Sequence, residues 1–501
     1  MKAILHKFPY SYMDYENQLL LREINSLFPN AAMIENRKSH IVLDNLEEGD
    51  ICNIEKLTYI AQFEIEDRLF YTLQYKFESS CTGENIKRQS TRYSTHGMHE
   101  YKGKYNPQIV HALLNIFGID DRKSVLDPFC GSGTTMLECL HLGISSTGTD
   151  INPFAVFLSN AKLHSIQLDC EKVKADFALL KEKLLNTQEQ DMVLKKDKRT
   201  EYLKKWVPIN ELILLEKILL YTESFEHSSA EFFRVTASDL IRDYSLQEPS
   251  DLRIRRRISP YPEVPLIEAW GKNVEKYLKN ILSIQKVCIS NCAVNQAINV
   301  DIKNVIPNET LQSFDIAITS PPYATALPYI DTQRISLVWL GLCPPDEIML
   351  LESNLIGSRE LYKTQKKDFY ELMISNQAHL PKEIFNLIEQ INNCLSEKDG
   401  FRKQAVPTLL YRYFCDMKQM FIRVNSLIRS RGHYCLIVGH NKTTVSNTTF
   451  HLDTPKLLSI LAESCGWIVN ELLPLQTYKR YGLNSKNSIN HETLIILQKA
   501  E

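Results

Sequence analysis

Beyond residue 100 the chain alternates between two hydrophobic patterns. Short apolar runs bounded by Gly, Asp or Pro are followed by longer segments whose apolar residues recur every three or four positions. The first pattern predicts buried strands and the second amphipathic helices. The strand candidates are SVLDPF (124–129), SSTGTDI (145–151), AINVDI (297–302), FDIAITS (314–320), HYCLIVGH (433–440), GWIVNELLPL (466–475) and HETLIILQK (491–499). NPQIVHALLNIFG (106–118) opens on an N-cap Asn with Pro at the first helical position and closes on Gly, and TTMLECLHLG (134–143) supplies the next helix. Strands alternating with helices predict an α/β fold: a parallel sheet covered on both faces.

Residues 1–90 break this pattern. A helical stretch, YENQLLLREINSLF (15–28), stands among strand-like runs such as SHIVLDNL (39–46) and RLFYTLQYKF (68–77), which predicts a small N-terminal α+β domain. Two polar, charge-rich segments, 166–296 and 346–404, far exceed usual connection lengths and read as insertions into the alternating domain. The expected domains are therefore 1–90, 91–165, the insertion 166–296, 297–345, the second insertion 346–404, and 405–501 with the closing helix and strands.

Composition adds few constraints. A chain of 501 residues with 44% hydrophobic and 24% charged residues is ordinary for a soluble protein, and a net charge of −2 confines any attraction for nucleic acid to local patches. Twelve cysteines without a CxxC pair indicate reduced thiols. No signal-peptide core and no membrane-length apolar run are present, so a cytoplasmic protein without membrane contact is expected. His96 and His99 have the spacing of two metal ligands but no companion ligands nearby in sequence, and no metal is expected.

The chemistry is concentrated in two stretches. DPFCGSGTT (127–135) lies where a parallel strand hands over to a helix, and its glycines let the backbone turn tightly against a ligand. It lacks both the third glycine of a dinucleotide loop and the Gly-Lys ending of a phosphate loop. Asp150, at the end of the next strand, is placed to accept hydrogen bonds from two ribose hydroxyls. DPFCGSGTT followed by GTDINP resembles the S-adenosylmethionine-binding half of class I amino-methyltransferases, which have a Rossmann-like seven-stranded sheet. The resemblance implies that Asp127, Pro128, Phe129, Cys130, Gly131 and Gly133 line the methionine and ribose side, with Cys130 packing rather than attacking. It further implies Asp150 and Ile151 at the ribose, Asp301 at the adenine amino group, and Tyr105 and Asn106 in a segment that closes over the cofactor.

The second stretch is ITSPPYATALPY (318–329). An exocyclic amine is a poor nucleophile because its lone pair is delocalised into the base. Acceptors aimed at its N–H bonds make the nitrogen more pyramidal and stabilise its developing charge. The Ser320 hydroxyl and the Pro321 carbonyl are such acceptors, and the paired prolines Pro321 and Pro322 keep them rigid. Tyr323 offers a face on which a base can stack, which offsets part of the cost of extruding it from a duplex. The set resembles the N4-cytosine DNA methyltransferases, whose signature is TSPPY; related N6-adenine DNA methyltransferases, which usually carry Asp or Asn where Ser320 stands, are an alternative. By that resemblance the protein is a site-specific DNA (cytosine-N4) methyltransferase acting on double-stranded DNA, in a restriction-modification or related defence system with a companion endonuclease.

Either insertion can serve as the target-recognition region. Arg253, Arg255, Arg256 and Arg257 in DLRIRRR, and Lys479 and Arg480 in QTYKRYGLNSKNS, are the candidates for nucleic-acid contact. The N-terminal 90 residues followed by HEYKGKYNPQ and SPPYATALPYID also resemble tRNA guanine-N2 methyltransferases, so RNA stands as the alternative substrate, although those enzymes usually have Asp at position 320.

Overall fold

The computed structural model describes all residues except 84–85, 87, 187–193, 289–292, 308–312, 325–328, 361–362, 447 and 477–490. Its centre is a seven-stranded sheet. The strands are β6 (Ser124–Asp127), β7 (Ser145–Asp150), β8 (Asn295–Asn299), β9 (Phe314–Thr319), β10 (Ile428–Gly439), β13 (Trp467–Gln476) and β14 (His491–Lys499), arranged β13-β14-β10-β9-β6-β7-β8. The five from β10 to β8 run parallel, whereas β14 is antiparallel to both β10 and β13. The α/β fold with seven strands read from the alternating pattern is thus borne out.

The inner strands of the sheet bury both faces. Cys435 and Ile437 of β10 join one hydrophobic cluster while Tyr434, Leu436 and Val438 join another, the period-two alternation of a pleated strand. The first cluster lies between the large sheet and an N-terminal antiparallel sheet ordered β2-β3-β1-β4-β5 (β1 Ala3–Lys7, β2 Ala32–Asn36, β3 His40–Asp44, β4 Ile60–Ile65, β5 Arg68–Tyr71). The second lies under the long helix Val406–Leu427. Arg22 grips Glu471 of β13 through two bonds of 2.6 Å and fastens the N-terminal helix Asp14–Leu27 to the large sheet.

One strand expectation is corrected. RLFYTLQYKF is a strand only to Tyr71; the helix Leu73–Thr82 begins directly after it because Thr72 acts as N-cap, its hydroxyl accepting from Tyr75 N at 3.2 Å. The described part of segment 166–296 is largely helical up to β8, with non-helical chain between Ile241 and Leu266. Its helices Cys170–Asn186, Lys198–Trp206, Ile209–Thr222, His227–Ile241 and Leu266–Gln285 share a core with Phe154 and Leu158 of the large domain and with Ile330 to Trp339 beyond β9. A small hairpin, β11 (Asn441–Val445) with β12 (Thr448–Leu452), follows β10. Among the described residues no helix is long and apolar enough to cross a membrane.

The strand order decides where a ligand can sit. From β6 the chain winds outward through β7 and β8, then returns to the other side of β6 as β9. The direction of winding reverses between β6 and β9, and the crevice at the carboxyl ends of such a pair is the binding position of an open α/β sheet. The glycine loop leaves β6 and SPPY leaves β9, so the two chemical stretches are brought to one crevice.

Candidate active site

Asp127 closes β6 and is buried between the two loops. Its carboxylate accepts from Thr319 Oγ1 at 2.5 Å, Phe129 N at 3.1 Å and Tyr105 Oη at 3.2 Å. Thr135, itself bonded to Tyr105, donates to the Ile318 carbonyl at 3.2 Å. This knot ties the glycine loop to the SPPY loop, and burial raises the Asp127 carboxyl to about 6. Asp127 and Tyr105 therefore spend polar groups on each other. Tyr105 also borders the cleft described below, whereas Asp127 lies behind its wall.

Gly131 and Gly133 both have positive φ, +50° and +81°, which favours glycine at each. A Cβ at Gly131 would lie 3.2 Å from the Tyr101 ring, and one at Gly133 would lie 3.0 Å from Ser159 Oγ. Beneath the loop, Gly148 of β7 allows its close approach: a Cβ there would stand 2.5 Å from Met136 Sδ and 2.6 Å from Cys130 Cβ. Cys130 is buried, in keeping with a packing position. At the end of β7, Asp150 accepts from Gly131 N at 3.0 Å and Asn152 N at 2.9 Å, so one carboxylate fixes the loop and faces the cleft. Burial, with Asp127 and Asp301 nearby, raises it to about 6.

The cleft, counted with the open space at its mouth, spans about 820 Å³. On one side are Pro128, Phe129, Cys130, Gly131 and Asp150 with Ile151; on another, Val300, Asp301 and Ile302; Ser320 and Pro322 close a third. Asp301 caps the short turn Ile302–Asn304 through Lys303 N at 3.0 Å, and Lys303 Nζ lies 3.6 Å from it and 2.8 Å from Asp416. The segment 101–105 crosses the cleft. A Cβ at Gly103 would lie 3.1 Å from the Tyr329 ring, so the last tyrosine of SPPYATALPY packs against this strap. Asn106 is placed differently from expectation. Its side chain caps the helix Pro107–Ile116 by accepting from Gln108 N at 3.0 Å and donates to Gln89, and it does not border the cleft.

In the SPPY loop, Ser320 Oγ donates to the Ile437 carbonyl of β10 at 2.9 Å. A hydroxyl has one hydrogen and two lone pairs, so this bond leaves Ser320 an acceptor toward any further partner. Pro321 is buried. Tyr323 does not border the cofactor cleft; its phenol donates to Glu492 of β14 at 2.8 Å, which fixes the ring, and burial followed by the Glu492 charge raises its pKa well above the usual value. Glu492 and Ile437 carried no signal in the sequence as site residues, because each acts on the site from a distant segment.

The arginines separate. Arg256 lies 4.6 Å from the Trp206 ring and bonds the Lys205 carbonyl at 2.5 Å. Arg257 donates to the carbonyls of Asp243, Ser245, Ser259 and Pro260. Expected at nucleic acid, these two guanidiniums brace the protein itself. Arg255 pairs with Asp251 at 3.1 Å, and Arg253 is half-buried. Lys479 and Arg480 lie outside the described residues. His96 and His99 diverge: His96 reaches Glu138 at 2.7 Å beside His141, and His99 reaches Ser238 at 3.2 Å. Burial acts to raise the Glu138 carboxyl, but hydrogen bonds from His111, His141 and His96 hold it well below the ordinary range.

A protein-family model for DNA methylases of the N6/N4 type matches residues 55–161, the segment that contains the strap, the glycine loop and Asp150. The type II methyltransferase M.MjaII of Methanocaldococcus jannaschii is 25% identical over 359 residues, covering 70% of this chain and 63% of its own length. M.MvaI of Kocuria varians is 25% identical over 372 residues, 70% of this chain and 78% of its own. These similarities support an S-adenosylmethionine-dependent amino-methyltransferase of the N6/N4 DNA methylase kind. A shorter likeness, 33% over 52 residues or 10% of this chain and 16% of the other, links this chain to the tRNA (guanine(10)-N2)-dimethyltransferase of Methanothermobacter thermautotrophicus.

The cleft suits the cofactor of the family. A left-handed glycine turn leaves a cradle that a Cβ would fill, Asp150 and Asp301 offer acceptors for hydroxyl and amino groups, and Phe129, Ile151 and Ile302 offer apolar contact for adenine. Ribose hydroxyls favour the ionised form of Asp150, so a protonated Asp150 must lose its proton on binding. S-Adenosylmethionine affinity in the methyltransferase is therefore expected to level off above about pH 7 and to weaken as pH falls through the Asp150 value of about 6. Calorimetric titrations in buffers of different ionisation enthalpy check this, proton release being largest near that value; affinity unchanged down to about pH 5 would contradict it.

Proposed function

We propose that the protein methylates the N4 amino group of cytosine in double-stranded DNA at a defined recognition sequence, as the modification partner of a restriction endonuclease. One observation carries this reading: Ser320 borders the same cleft as Gly131, Asp150 and Asp301, with its hydroxyl hydrogen committed to the Ile437 carbonyl. An acceptor is thereby held where an amine would meet the methyl donor. S-Adenosylmethionine supplies an electrophilic methyl group, and Asp150 with Asp301, Phe129 and the glycine turn would hold it.

The remaining work falls to the chain. Ser320 Oγ and the Pro321 carbonyl accept the two amine hydrogens, turn the nitrogen lone pair out of the ring plane and stabilise the positive charge it gains. Pro322 has no N–H, so one local donor to these acceptors is missing. Tyr323, anchored by Glu492, presents its ring to the extruded base; such a stack contributes roughly 1–3 kcal/mol, comparable with the few kcal/mol that extrusion costs. The Ile437 carbonyl suits a hydroxyl at position 320, since a carboxylate there would face another oxygen acceptor. The TSPPY resemblance supports cytosine, and the type II names of the relatives support DNA and an endonuclease partner.

The deciding measurement is mass spectrometry of nucleosides after incubating the purified protein and S-adenosylmethionine with double-stranded DNA or with tRNA. N4-methylcytosine in DNA is the expected product. N6-methyladenine would reassign the base, and N2-methylguanosine in tRNA with unmodified DNA would overturn the substrate.

A further inference from the structure

Asp301 stands in the cleft wall between two contacts made by one lysine. Its Oδ1 accepts from Lys303 N at 3.0 Å, the bond that caps the turn Ile302–Asn304, while Lys303 Nζ stops 3.6 Å from Oδ2. At that distance the ammonium balances the carboxylate charge but makes no hydrogen bond to it. Asp416 holds it there, its Oδ1 accepting from Nζ at 2.8 Å. A lysine that folds back on its own turn is thus shared between two carboxylates, and the one that does not border the cleft has the shorter contact.

The helix Val406–Leu427 brings Asp416 to this point. Arg412, Asp416 and Arg423 recur at i, i+4 and i+11, which places them on one face of that helix. Arg423 Nε donates to the Lys303 carbonyl at 3.1 Å, and Arg412 Nε lies 3.6 Å from Asp416 Oδ2. Arg412 also donates to the carbonyls of Ser353 and Glu360, so the same helix carries the lip of the cleft formed by Asn354 to Ile356. No more than 17% of the side chain of Asp301, Lys303, Asp416 or Arg412 is exposed. Charges so sheltered are little screened by salt, and removing one leaves its partner uncompensated. Without Asp416, Lys303 Nζ is left with the carboxylate 3.6 Å away, and closing that gap to hydrogen-bond length would occupy Asp301 Oδ2.

We propose that Lys303 and Asp416 are positioning residues for adenine recognition: Lys303 balances the charge of Asp301, and Asp416 holds Lys303 back so that Asp301 Oδ2 stays open to the adenine amino group. Asp301 is the contact, and the other two act through it. The inference rests on the assignment of Asp301 to the cofactor and not on the identity of the base that is methylated.

The test needs no nucleic acid. Calorimetry on the full-length protein compares S-adenosylhomocysteine with an analogue whose purine carries hydrogen in place of the 6-amino group, and the ratio of the two affinities is the readout. A variant that folds less well loses both affinities alike, so the ratio reports the amino contact alone. Wild type is expected to favour the amino-bearing ligand by about 10- to 150-fold, the range for a hydrogen bond to a charged acceptor. Asp301→Ala should bring the ratio to within about twofold of unity, and Lys303→Met and Asp416→Asn should each lower it by at least about fivefold. Adding Lys303→Met to Asp301→Ala should lower it no further, as for residues that act as a unit. A wild-type ratio in Asp301→Ala would withdraw the adenine assignment and the proposal with it. A lost ratio in Asp301→Ala beside a wild-type ratio in either Lys303→Met or Asp416→Asn would overturn the proposal alone and leave the cofactor site standing.

Discussion

Ser320→Ala is expected to slow methyl transfer by about 10²–10³, equivalent to about 3–4 kcal/mol, while S-adenosylmethionine affinity changes less than about twofold. The loss is large because the acceptor works on charge that develops only as the amine nitrogen reacts. The cofactor affinity is preserved because the glycine loop, Asp150 and Asp301 all hang from other strands. Ser320→Asp is expected not to restore the rate, since the introduced carboxylate would face the Ile437 carbonyl now 2.9 Å from the hydroxyl oxygen. Single-turnover transfer of a labelled methyl group, paired with calorimetric cofactor binding, reads both quantities. A rate within about threefold of wild type in Ser320→Ala would remove the serine from the chemistry.

Asp150→Ala is expected to show the opposite split, with cofactor affinity falling roughly 10- to 150-fold, from about 1.5–3 kcal/mol for hydrogen bonds to a charged group. Here the structure adds a second source of loss. The same carboxylate accepts from Gly131 N and Asn152 N, so its removal also releases the turn that shapes the cradle. Asp150→Asn separates the two effects: its carbonyl oxygen can keep one backbone bond while the charge is lost. Its affinity should fall between wild type and alanine, measured by calorimetry at pH about 8, where Asp150 is ionised. Equal affinity of Asp150→Ala and wild type would dismiss the ribose assignment.

Much of the fold was legible because its signals are local. The seven strands of the large sheet announce themselves by short apolar runs with turn residues at their ends, and DPFCGSGTT by glycines at positions that have positive φ. RLFYTLQYKF was misread because one side chain, that of Thr72, ends the strand and starts a helix within a continuous aromatic pattern. The inward commitment of Arg256 and Arg257 within the arginine run was hidden for a related reason. Charge density is visible in sequence, but whether a guanidinium meets solvent or four carbonyls depends on how the chain turns back on itself, and Arg257 meets the carbonyls.

The amino-acid order settled which segments become strands, where the backbone must turn tightly, and which short stretch carries a hydroxyl beside paired prolines, because periodicity and backbone chemistry operate over a few residues. Tertiary structure alone decided that β9 lies beside β6, so that the two stretches share a crevice, and that Ile437 and Glu492 orient Ser320 and Tyr323. It likewise decided that Asp127 faces a knot while Asp150 faces the cleft. Those outcomes depend on contacts between residues more than a hundred positions apart, and only the packing of the sheet and its helices selects among the partners such residues can find.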